Sequence, residues 1–187
     1  GGGYGGVTFV KKLLKLVKRY NLGIKVLLVD RKDYHVLLPS LPECISSPDS
    51  KVLVKFSDIF DGFGDNFEYV KGYVRSMSVS EKKVFFDDGR ELEYDDVVIA
   101  LGAQPNDFGV PGVRENAIMF WNEEDAVVYI NKLNSFIERG VSPKIVIVGA
   151  GPIGLEVASE TVGYLKKFKL TPNVKVVEAK GRVLPAL

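Results

Sequence analysis

Apolar positions recur at helical spacing in two long stretches of the chain. The first covers residues 5–20 and is followed by Asn21 and Gly23, which end helices because both residue types accept a left-handed backbone. The second stretch covers residues 123–139. Residues 31–66 show neither a helical nor an alternating period and contain several prolines, so we expect irregular structure there.

Short apolar and alternating segments predict the strands. An Asp-Gly pair inside the turn 87–90 separates two alternating segments, which favours a hairpin. The predicted strands cover residues 24–30, 69–79, 83–86, 91–94, 96–102, 144–148 and 174–178. Strands that alternate with helices predict an α/β protein with parallel sheets, to which the segment 69–94 adds a β-meander.

Two glycine-rich stretches repeat the pattern G-x-G-x-x-G: the first loop, Gly1–Gly6, and the second loop, Gly149–Gly154. In this pattern the first glycine makes a tight turn, the second lets the backbone approach a pyrophosphate, and the third lets a helix and a strand pack closely. An amphipathic stretch and an apolar strand follow each loop, and each strand leads to an acid, Asp30 or Glu178. An acid there accepts hydrogen bonds from ribose hydroxyls, so the repeat predicts two dinucleotide-binding sites.

The two loops differ in the sequence that precedes them. Residues 144–148 supply a strand before the second loop, whereas no strand precedes Gly1, and the chain stops at Leu187 soon after the second acid. We therefore expect a fragment in which both domains are incomplete. The predicted architecture is two Rossmann-like domains, over residues 1–115 and 116–187, with the second inserted into the first.

Composition narrows the class of function only slightly. The 187 residues include 25 lysines and arginines and 24 acids, and the net charge of +1 gives no support for nucleic-acid binding. The basic residues within 11–19 fit a solvated helix face. Cys44 is the single cysteine, so an intrachain disulfide is excluded, a cysteine-based metal site is not expected, and a reducing compartment is compatible with the chain.

The chain resembles type II NADH dehydrogenases, single-subunit flavoproteins of the superfamily that also contains the disulfide reductases. The resemblance is carried by Gly1–Gly6 and Gly149–Glu156 and by residues 30–35, 94–102 and 106–112. The glycine loops and the strand that ends at Ala100 and Gly102 are common to the superfamily. The Tyr-His pair after the first acid and the Asn-x-Phe-Gly linker indicate the narrower family.

This resemblance implies one cofactor for each loop. The first loop would bind FAD and the second NADH, which makes 1–115 an FAD-binding domain and 116–187 an NAD-binding domain. The residues implied at FAD are Gly1, Gly3, Gly6, Asp30, Ala100 and Gly102. The residues implied at NADH are Gly149, Gly151, Gly154 and Glu178. A carboxylate at 178 favours NADH because it repels the 2′-phosphate of NADPH, although Arg182 follows closely.

The resemblance also implies an activity, in which hydride passes from NADH to FAD and electrons pass on to a quinone. Glu156 is the implied catalytic residue, because the matching glutamate of the family lies beside the flavin and quinone pocket; the alternative is an acid favoured by the helix dipole. His35, the only histidine, fits a structural hydrogen-bonding residue better. We expect a peripheral protein on the cytoplasmic side of the membrane, attached through a C-terminal part beyond this sequence, or else a cytoplasmic one. A homodimer stays open.

Two other functions remain open at this point. A redox-active Cys44 near the flavin would make the chain a coenzyme A disulfide reductase or a thiol-type NADH oxidase. Sulfide:quinone oxidoreductases use several cysteines, which the single Cys44 disfavours. The chain could instead be a nucleotide-binding redox sensor without turnover, since sensors and enzymes share the same glycine loops.

Overall fold

The computed structural model describes residues 1–184, in which helices alternate with short strands. The α-helices are α1 (Tyr4–Tyr20), α2 (Phe56–Ile59), α3 (Val113–Asn116), α4 (Glu123–Glu138) and α5 (Pro152–Lys167). The strands are β1 (Val26–Asp30), β2 (Tyr34–Val36), β3 (Leu53–Lys55), β4 (Phe67–Lys71), β5 (Val74–Ser78), β6 (Lys83–Phe86), β7 (Glu91–Glu93), β8 (Lys144–Val148) and β9 (Asn173–Val177). Two 3-10 helices cover Leu38–Ile45 and Gly64–Asn66.

The chain folds into two compact units. The first unit consists of Gly1–Val36 and Leu53–Ala103, and the second consists of Leu37–Val52 together with the residues from Gln104 onward. Each unit therefore contains one glycine loop and the acid that follows it in sequence. The division into an FAD-binding domain over 1–115 and an NAD-binding domain over 116–187 stays a prediction, and residues 185–187 lie outside the described residues.

In the first unit, α1 packs its apolar face against the parallel pair β1–β4. The buried core residues are Val10, Leu14, Val26, Leu28, Phe56 and Phe60. The helix ends where the sequence predicts, because Asn21 adopts a left-handed backbone with φ of 49°. The lysines at 11, 12, 15 and 18 lie on the exposed side of the helix, as expected of a solvated face.

The predicted strand over 69–79 is wrong, because the chain turns at Gly72 and forms two strands instead. The Gly72 N–H donates to the carbonyl oxygen of Asp30 at 3.0 Å, and a methyl group on Gly72 would overlap the ring of Phe86. Strand β4 therefore joins β1 in a parallel pair, and only β5, β6 and β7 form the antiparallel meander. The predicted hairpin is confirmed, with Gly89 at φ of 85° in its turn.

Two further predictions for this part of the chain are wrong. Residues 31–66 are not irregular throughout, since β2 pairs with β3 and a 3-10 helix covers Leu38–Ile45. Residues 96–102 form no strand, and Val98 and Ile99 are 52% and 65% exposed. This segment has no hydrogen-bonded strand partner among the described residues, so its apolar sequence alone does not create a buried strand.

The second unit is built on the parallel pair β8–β9, which α5 covers on one face. Its core contains Leu133 of α4, Val157 and Leu165 of α5, Leu170, and Ile45 from the 3-10 helix. Helix α4 begins at a capping box, in which the side chains of Asn122 and Asp125 each accept from the backbone N–H of the other. The predicted helix over 123–139 and both predicted strands of this unit are confirmed.

Candidate dinucleotide-binding sites

The first loop runs directly into α1, and side chains would clash at three of its glycines, Gly1, Gly2 and Gly6. Gly3 is the N-cap of the helix, with an extended backbone. A methyl group on Gly6 would overlap the carbonyl oxygen of Gly1, and one on Gly1 would overlap the carbonyl oxygen of Ala100. The loop and the first turn of α1 are therefore in backbone contact, as expected for the first and third glycines of the motif.

The second loop repeats this construction at the start of α5. Gly151 is the N-cap, and Pro152 takes the first helical position, where a missing N–H breaks no helical hydrogen bond. A methyl group on Gly154 would overlap the carbonyl oxygen of Gly149. Gly149 itself has φ of 106°, a conformation that side chains rarely adopt. Both loops thus leave their backbone N–H groups at a helix N-terminus, the place where phosphates bind.

Each predicted acid is held against its own loop by a backbone hydrogen bond. One carboxylate oxygen of Asp30 accepts from the Gly2 N–H at 2.6 Å, and the other accepts from the Lys32 N–H at 3.0 Å. One oxygen of Glu178 likewise accepts from the Ala150 N–H at 2.8 Å, and the other accepts from the Lys180 N–H at 3.0 Å.

In both sites the acid follows the central loop residue by 28 positions. The two sites therefore match in their hydrogen bonds as well as in their sequence motif. Each acid therefore faces the loop in a fixed orientation.

The hydrogen bonds at Glu178 also favour its charged form. The N–H of Ala150, followed by that of Lys180, lowers the pKa of this carboxyl group below its ordinary value. Glu178 is therefore ionised at neutral pH. A carboxylate has about four acceptor positions, so two backbone donors leave room for the hydroxyl groups of a ribose.

The central residue of the loop differs between the sites. In the first loop this residue is Gly2, because the ring of Phe56 fills the space that a methyl group would need. In the second loop it is Ala150, which is fully buried. The carbonyl oxygen of Gly2 accepts from Nδ1 of His35 at 2.9 Å, whereas that of Ala150 accepts from the Leu184 N–H at 2.8 Å.

Residues Ala100 and Gly102 lie in the first unit, in the segment that follows the meander. The structure brings the Ala100 carbonyl group beside Gly1 of the first loop. Gly102 has φ of 73°, so the chain turns there in a conformation that favours glycine. Their role at a flavin stays a prediction.

Glu156 is exposed and lies on α5 after the second loop. The alternative explanation, an acid favoured by the helix dipole, predicts Glu156 on the first helical turn, but α5 begins at Pro152 and its first turn contains no acid. The favourable effect of a helix dipole falls off within the first turn, so this alternative explanation for Glu156 is weakened. The structure tests no catalytic role for this residue.

Cys44 and His35, the two other residues considered for a chemical role, have different surroundings. Cys44 is partly buried at the end of a 3-10 helix, and this burial, together with the nearby charge of Glu43, raises the pKa of its thiol. A raised pKa disfavours the reactive thiolate. His35 is 5% exposed and hydrogen-bonded to the first loop, which confirms it as a structural hydrogen-bonding residue.

The whole chain, residues 1–187, matches the model of one protein family, described as "Pyridine nucleotide-disulphide oxidoreductase". The chain belongs to this family. Among curated relatives, it is 31% identical to alternative NAD(P)H-ubiquinone oxidoreductase C1 of Arabidopsis thaliana, over 94% of this chain and 37% of that protein. It is 28% identical to the type II NADH:quinone oxidoreductase of Haemophilus influenzae, over 100% of this chain and 51% of that protein.

The fold is shared with a solved structure. The sulfide:quinone oxidoreductase of Aquifex aeolicus superposes with a TM-score of 0.77 at 23% identity, over 96% of this chain and 42% of that chain. The predicted α/β fold with Rossmann-like units and the resemblance to type II NADH dehydrogenases are thus confirmed. The chain spans 37% and 51% of the length of these two curated relatives.

The residues of both loops fit the cofactors that this family uses. Each loop leads into a helix N-terminus, has glycines at its first and third motif positions where a side chain would clash or strain the backbone, and holds an acid at the adjacent strand end. These are the features that accept a pyrophosphate and a ribose. Family membership together with this geometry supports the predicted use of FAD and NADH.

Proposed function

We propose that this protein is an FAD-dependent NADH dehydrogenase that passes electrons to a quinone. The observation that carries the proposal is the pair of matched loop and acid sites, one in each unit, in a chain of this family. One site is needed for the flavin and one for the nicotinamide nucleotide. The curated relatives that are named NADH-ubiquinone or NADH:quinone oxidoreductases support quinone as the acceptor.

The first loop binds FAD and the second binds NADH in this proposal. Gly1, Gly3 and Gly6 bring the backbone close to the FAD pyrophosphate, and Asp30 accepts hydrogen bonds from its ribose. Gly149, Gly151, Gly154 and Glu178 do the same for NADH. Ala100 and Gly102 line the path of the FAD beside the first loop. When bound, FAD supplies the chemistry that accepts a hydride and releases electrons to a second acceptor.

Glu156 is the side chain that we propose for proton handling. Its carboxylate is exposed on α5, so it can exchange protons with solvent and with a bound acceptor. Quinone reduction consumes protons as well as electrons, and we propose that the Glu156 carboxylate relays these protons. The residue would act on the acceptor and would not contribute to binding of FAD.

A thiol mechanism at Cys44 is the weaker account. The raised pKa of the Cys44 thiol keeps it protonated at neutral pH, whereas thiol-dependent reductases need a thiolate. The third possibility is a redox sensor that binds both nucleotides without turnover. Glycine loops alone do not separate a sensor from an enzyme, so this possibility is an outcome of the experiment below.

The decisive experiment measures flavin content and turnover in the same preparation. The purified protein should show the visible absorbance of a bound flavin, and NADH should bleach it under anaerobic conditions. Addition of a water-soluble ubiquinone analogue should restore the absorbance. Bleaching without recovery on quinone addition would exclude quinone as the acceptor, and flavin that NADH does not bleach would favour the sensor.

We further propose that the protein works as a peripheral protein at the cytoplasmic face of a membrane, where its quinone is found. Within residues 1–184, no helix is both long enough and apolar enough to cross a membrane. Sedimentation with lipid vesicles tests this attachment. Cross-linking of the purified protein tests whether it forms a homodimer.

A further inference from the structure

Gly2 is held on three sides in the first unit. Its N–H donates to the Asp30 carboxylate at 2.6 Å, and its carbonyl oxygen accepts from the His35 ring at 2.9 Å. The ring of Phe56, which is 1% exposed, occupies the third side, where a side chain would begin. Two polar contacts and one apolar contact therefore fix this single residue.

The histidine is well placed to act as a permanent donor. A carbonyl oxygen only accepts, so Nδ1 of His35 carries the hydrogen in this contact. The ring is buried and meets the ring of Tyr4 edge to face, with 4.5 Å between the centroids. Packing thus holds the imidazole in the orientation that the hydrogen bond requires.

The contact with His35 has a consequence for the next residue. The carbonyl group of Gly2 and the N–H of Gly3 belong to one planar peptide group, and they point in opposite directions. Fixing the oxygen of Gly2 therefore fixes the direction of the Gly3 N–H. Gly3 is the N-cap of α1, and its N–H is one of the groups available to a phosphate.

In the second loop, the corresponding peptide group is held by a backbone N–H and not by a side chain. The carbonyl oxygen of Ala150 accepts from the backbone N–H of Leu184 at 2.8 Å, which fixes the N–H of Gly151 in the same manner. The peptide at this position is held in both units, but only the first loop depends on a side chain for it. A substitution at His35 should therefore affect one loop and spare the other.

We propose that His35 is a positioning residue for the FAD site: by holding the Gly2 carbonyl group, it aims the Gly3 N–H at the pyrophosphate. This inference rests on the proposed function, in which the first loop binds FAD. His35 does not need to touch the cofactor. Its contribution is the preorganisation of a backbone donor, which lowers the cost of binding.

The experiment compares variants at position 35 by their affinity for each cofactor. The protein is stripped of flavin, and the FAD dissociation constant is measured by quenching of flavin fluorescence. The NADH dissociation constant is measured on the same preparations. H35L removes the donor and keeps apolar volume, whereas H35N places an amide N–H close to the position of Nδ1.

We expect H35L to weaken FAD binding about tenfold, because a buried carbonyl group loses its partner. H35N should stay within about threefold of the natural protein, and NADH binding should change by less than about twofold in all variants. FAD binding by H35L as tight as in the natural protein would overturn the proposal. Equal losses of FAD and NADH affinity would also overturn it, since they indicate general destabilisation.

A second pair of variants keeps the test sharp if H35L does not fold. H35N and H35D have the same shape, but the aspartate presents an acceptor to the Gly2 oxygen where the asparagine presents a donor. We expect H35D to bind FAD at least about tenfold more weakly than H35N. Equal FAD affinities for this pair would contradict the proposal.

Failure of this proposal and failure of the proposed function give different results. FAD binding that depends on His35, in a protein that does not reduce quinone, would support the positioning role and reject the activity. Quinone reduction together with FAD binding that does not depend on His35 would support the activity and reject the positioning role. A natural protein that binds no FAD would reject both.

Discussion

The two glycine loops show how one backbone device is supported by different surroundings. In both, an acid accepts from the central N–H of the loop, and the third glycine meets the carbonyl oxygen of the first. The central residue differs, because Phe56 requires glycine in the first loop while a buried alanine fits in the second. The donor to the central carbonyl oxygen differs too, as a histidine ring in one and a backbone N–H in the other.

This comparison separates what the motif requires from what each unit adds. The contacts common to both loops involve the glycines and the acid that define the motif. The contacts that differ involve residues outside it, such as His35 and Phe56. The motif therefore determines the course of the backbone, and the neighbouring elements determine how that course is held.

The largest expected effect comes from a methyl group on the third glycine. Gly6→Ala and Gly154→Ala form a matched pair, because each methyl group would overlap a carbonyl oxygen that cannot withdraw. We expect each substitution to lower the free energy of unfolding by about 3 kcal/mol, measured by urea unfolding. Gly6→Ala should abolish FAD binding and Gly154→Ala NADH binding. Loss of both cofactors in both variants would mean that the two sites are not separate.

A smaller effect should follow from exchanging the central residues. Gly2→Ala forces a methyl group into the ring of Phe56 and should cost about 2 kcal/mol of stability. Ala150→Gly creates no clash and should cost only about 1 kcal/mol, through chain entropy and a lost buried methyl group. Adding Phe56→Leu should partly rescue Gly2→Ala in urea unfolding. Additive effects of these two substitutions would contradict the role of the ring.

Glu178 should control the choice between NADH and NADPH. Glu178→Ala should weaken NADH binding about tenfold, because the ribose loses a charged acceptor. Glu178→Arg and Glu178→Ser should improve the use of NADPH, since the repulsion of its 2′-phosphate disappears. Kinetics with both nucleotides measure the change. Equal efficiency with NADH and NADPH before and after substitution would remove Glu178 from the site.

The lowered pKa of Glu178 adds a pH dependence with a definite sign. A depressed carboxyl pKa means that the charged form is favoured in the folded protein, so its contribution holds above the ordinary value of 4.5 and is lost as pH falls through the folded value. The contribution of Glu178 to NADH binding should therefore stay constant from neutral pH down to about 4.5. Titration calorimetry of NADH binding across this range, with Glu178→Gln as control, measures it.

Glu156→Gln tests the proton-handling role with a smaller expected change. The substitution keeps the shape and removes the charge, so we expect a severalfold slower reaction with quinone and unchanged FAD and NADH affinities. Stopped-flow spectroscopy separates flavin reduction by NADH from reoxidation by quinone. A slowed reduction of the flavin by NADH, with normal reoxidation by quinone, would contradict the proposal that Glu156 acts on the quinone.

The smallest effect is expected at Cys44. Cys44→Ser should leave NADH oxidation with quinone nearly unchanged, because the raised pKa of the thiol keeps it unreactive at neutral pH. Iodoacetamide should label the native protein more slowly than the unfolded protein at neutral pH, because burial raises the pKa of the native thiol. Loss of activity in Cys44→Ser together with full activity in Glu156→Gln would make a thiol-dependent reductase the better account.

Sequence patterns predicted the parts of the fold that depend on local periodicity. The long helices, the hairpin at Gly89 and strands β8 and β9 needed only apolar spacing and turn residues. The glycine loops and their acids were also visible, because the motif fixes both spacing and residue type. The orientation of each acid, with an N–H of the loop as its partner, needed the structure.

The errors arose where distant residues decide the local structure. The break at Gly72 depends on a hydrogen bond to Asp30 and on the ring of Phe86, neither of which is nearby in sequence. The segment 96–102 has the composition of a buried strand but no strand partner among residues 1–184. The role of His35 toward Gly2 was not visible, since a single histidine has no pattern. Its position shortly after the first acid was the one available signal.

The second unit is formed by two separate segments of the chain, which has a consequence for folding during synthesis. Residues 37–52 leave the ribosome well before the helices that bury Ile45, namely α4 and α5. The side chain of Ile45 therefore stays unburied until Leu133, Val157 and Leu165 have been synthesised. Such long separations slow folding and leave apolar surface open to aggregation or to chaperones. The order of synthesis and the order in which parts of this protein become stable therefore differ.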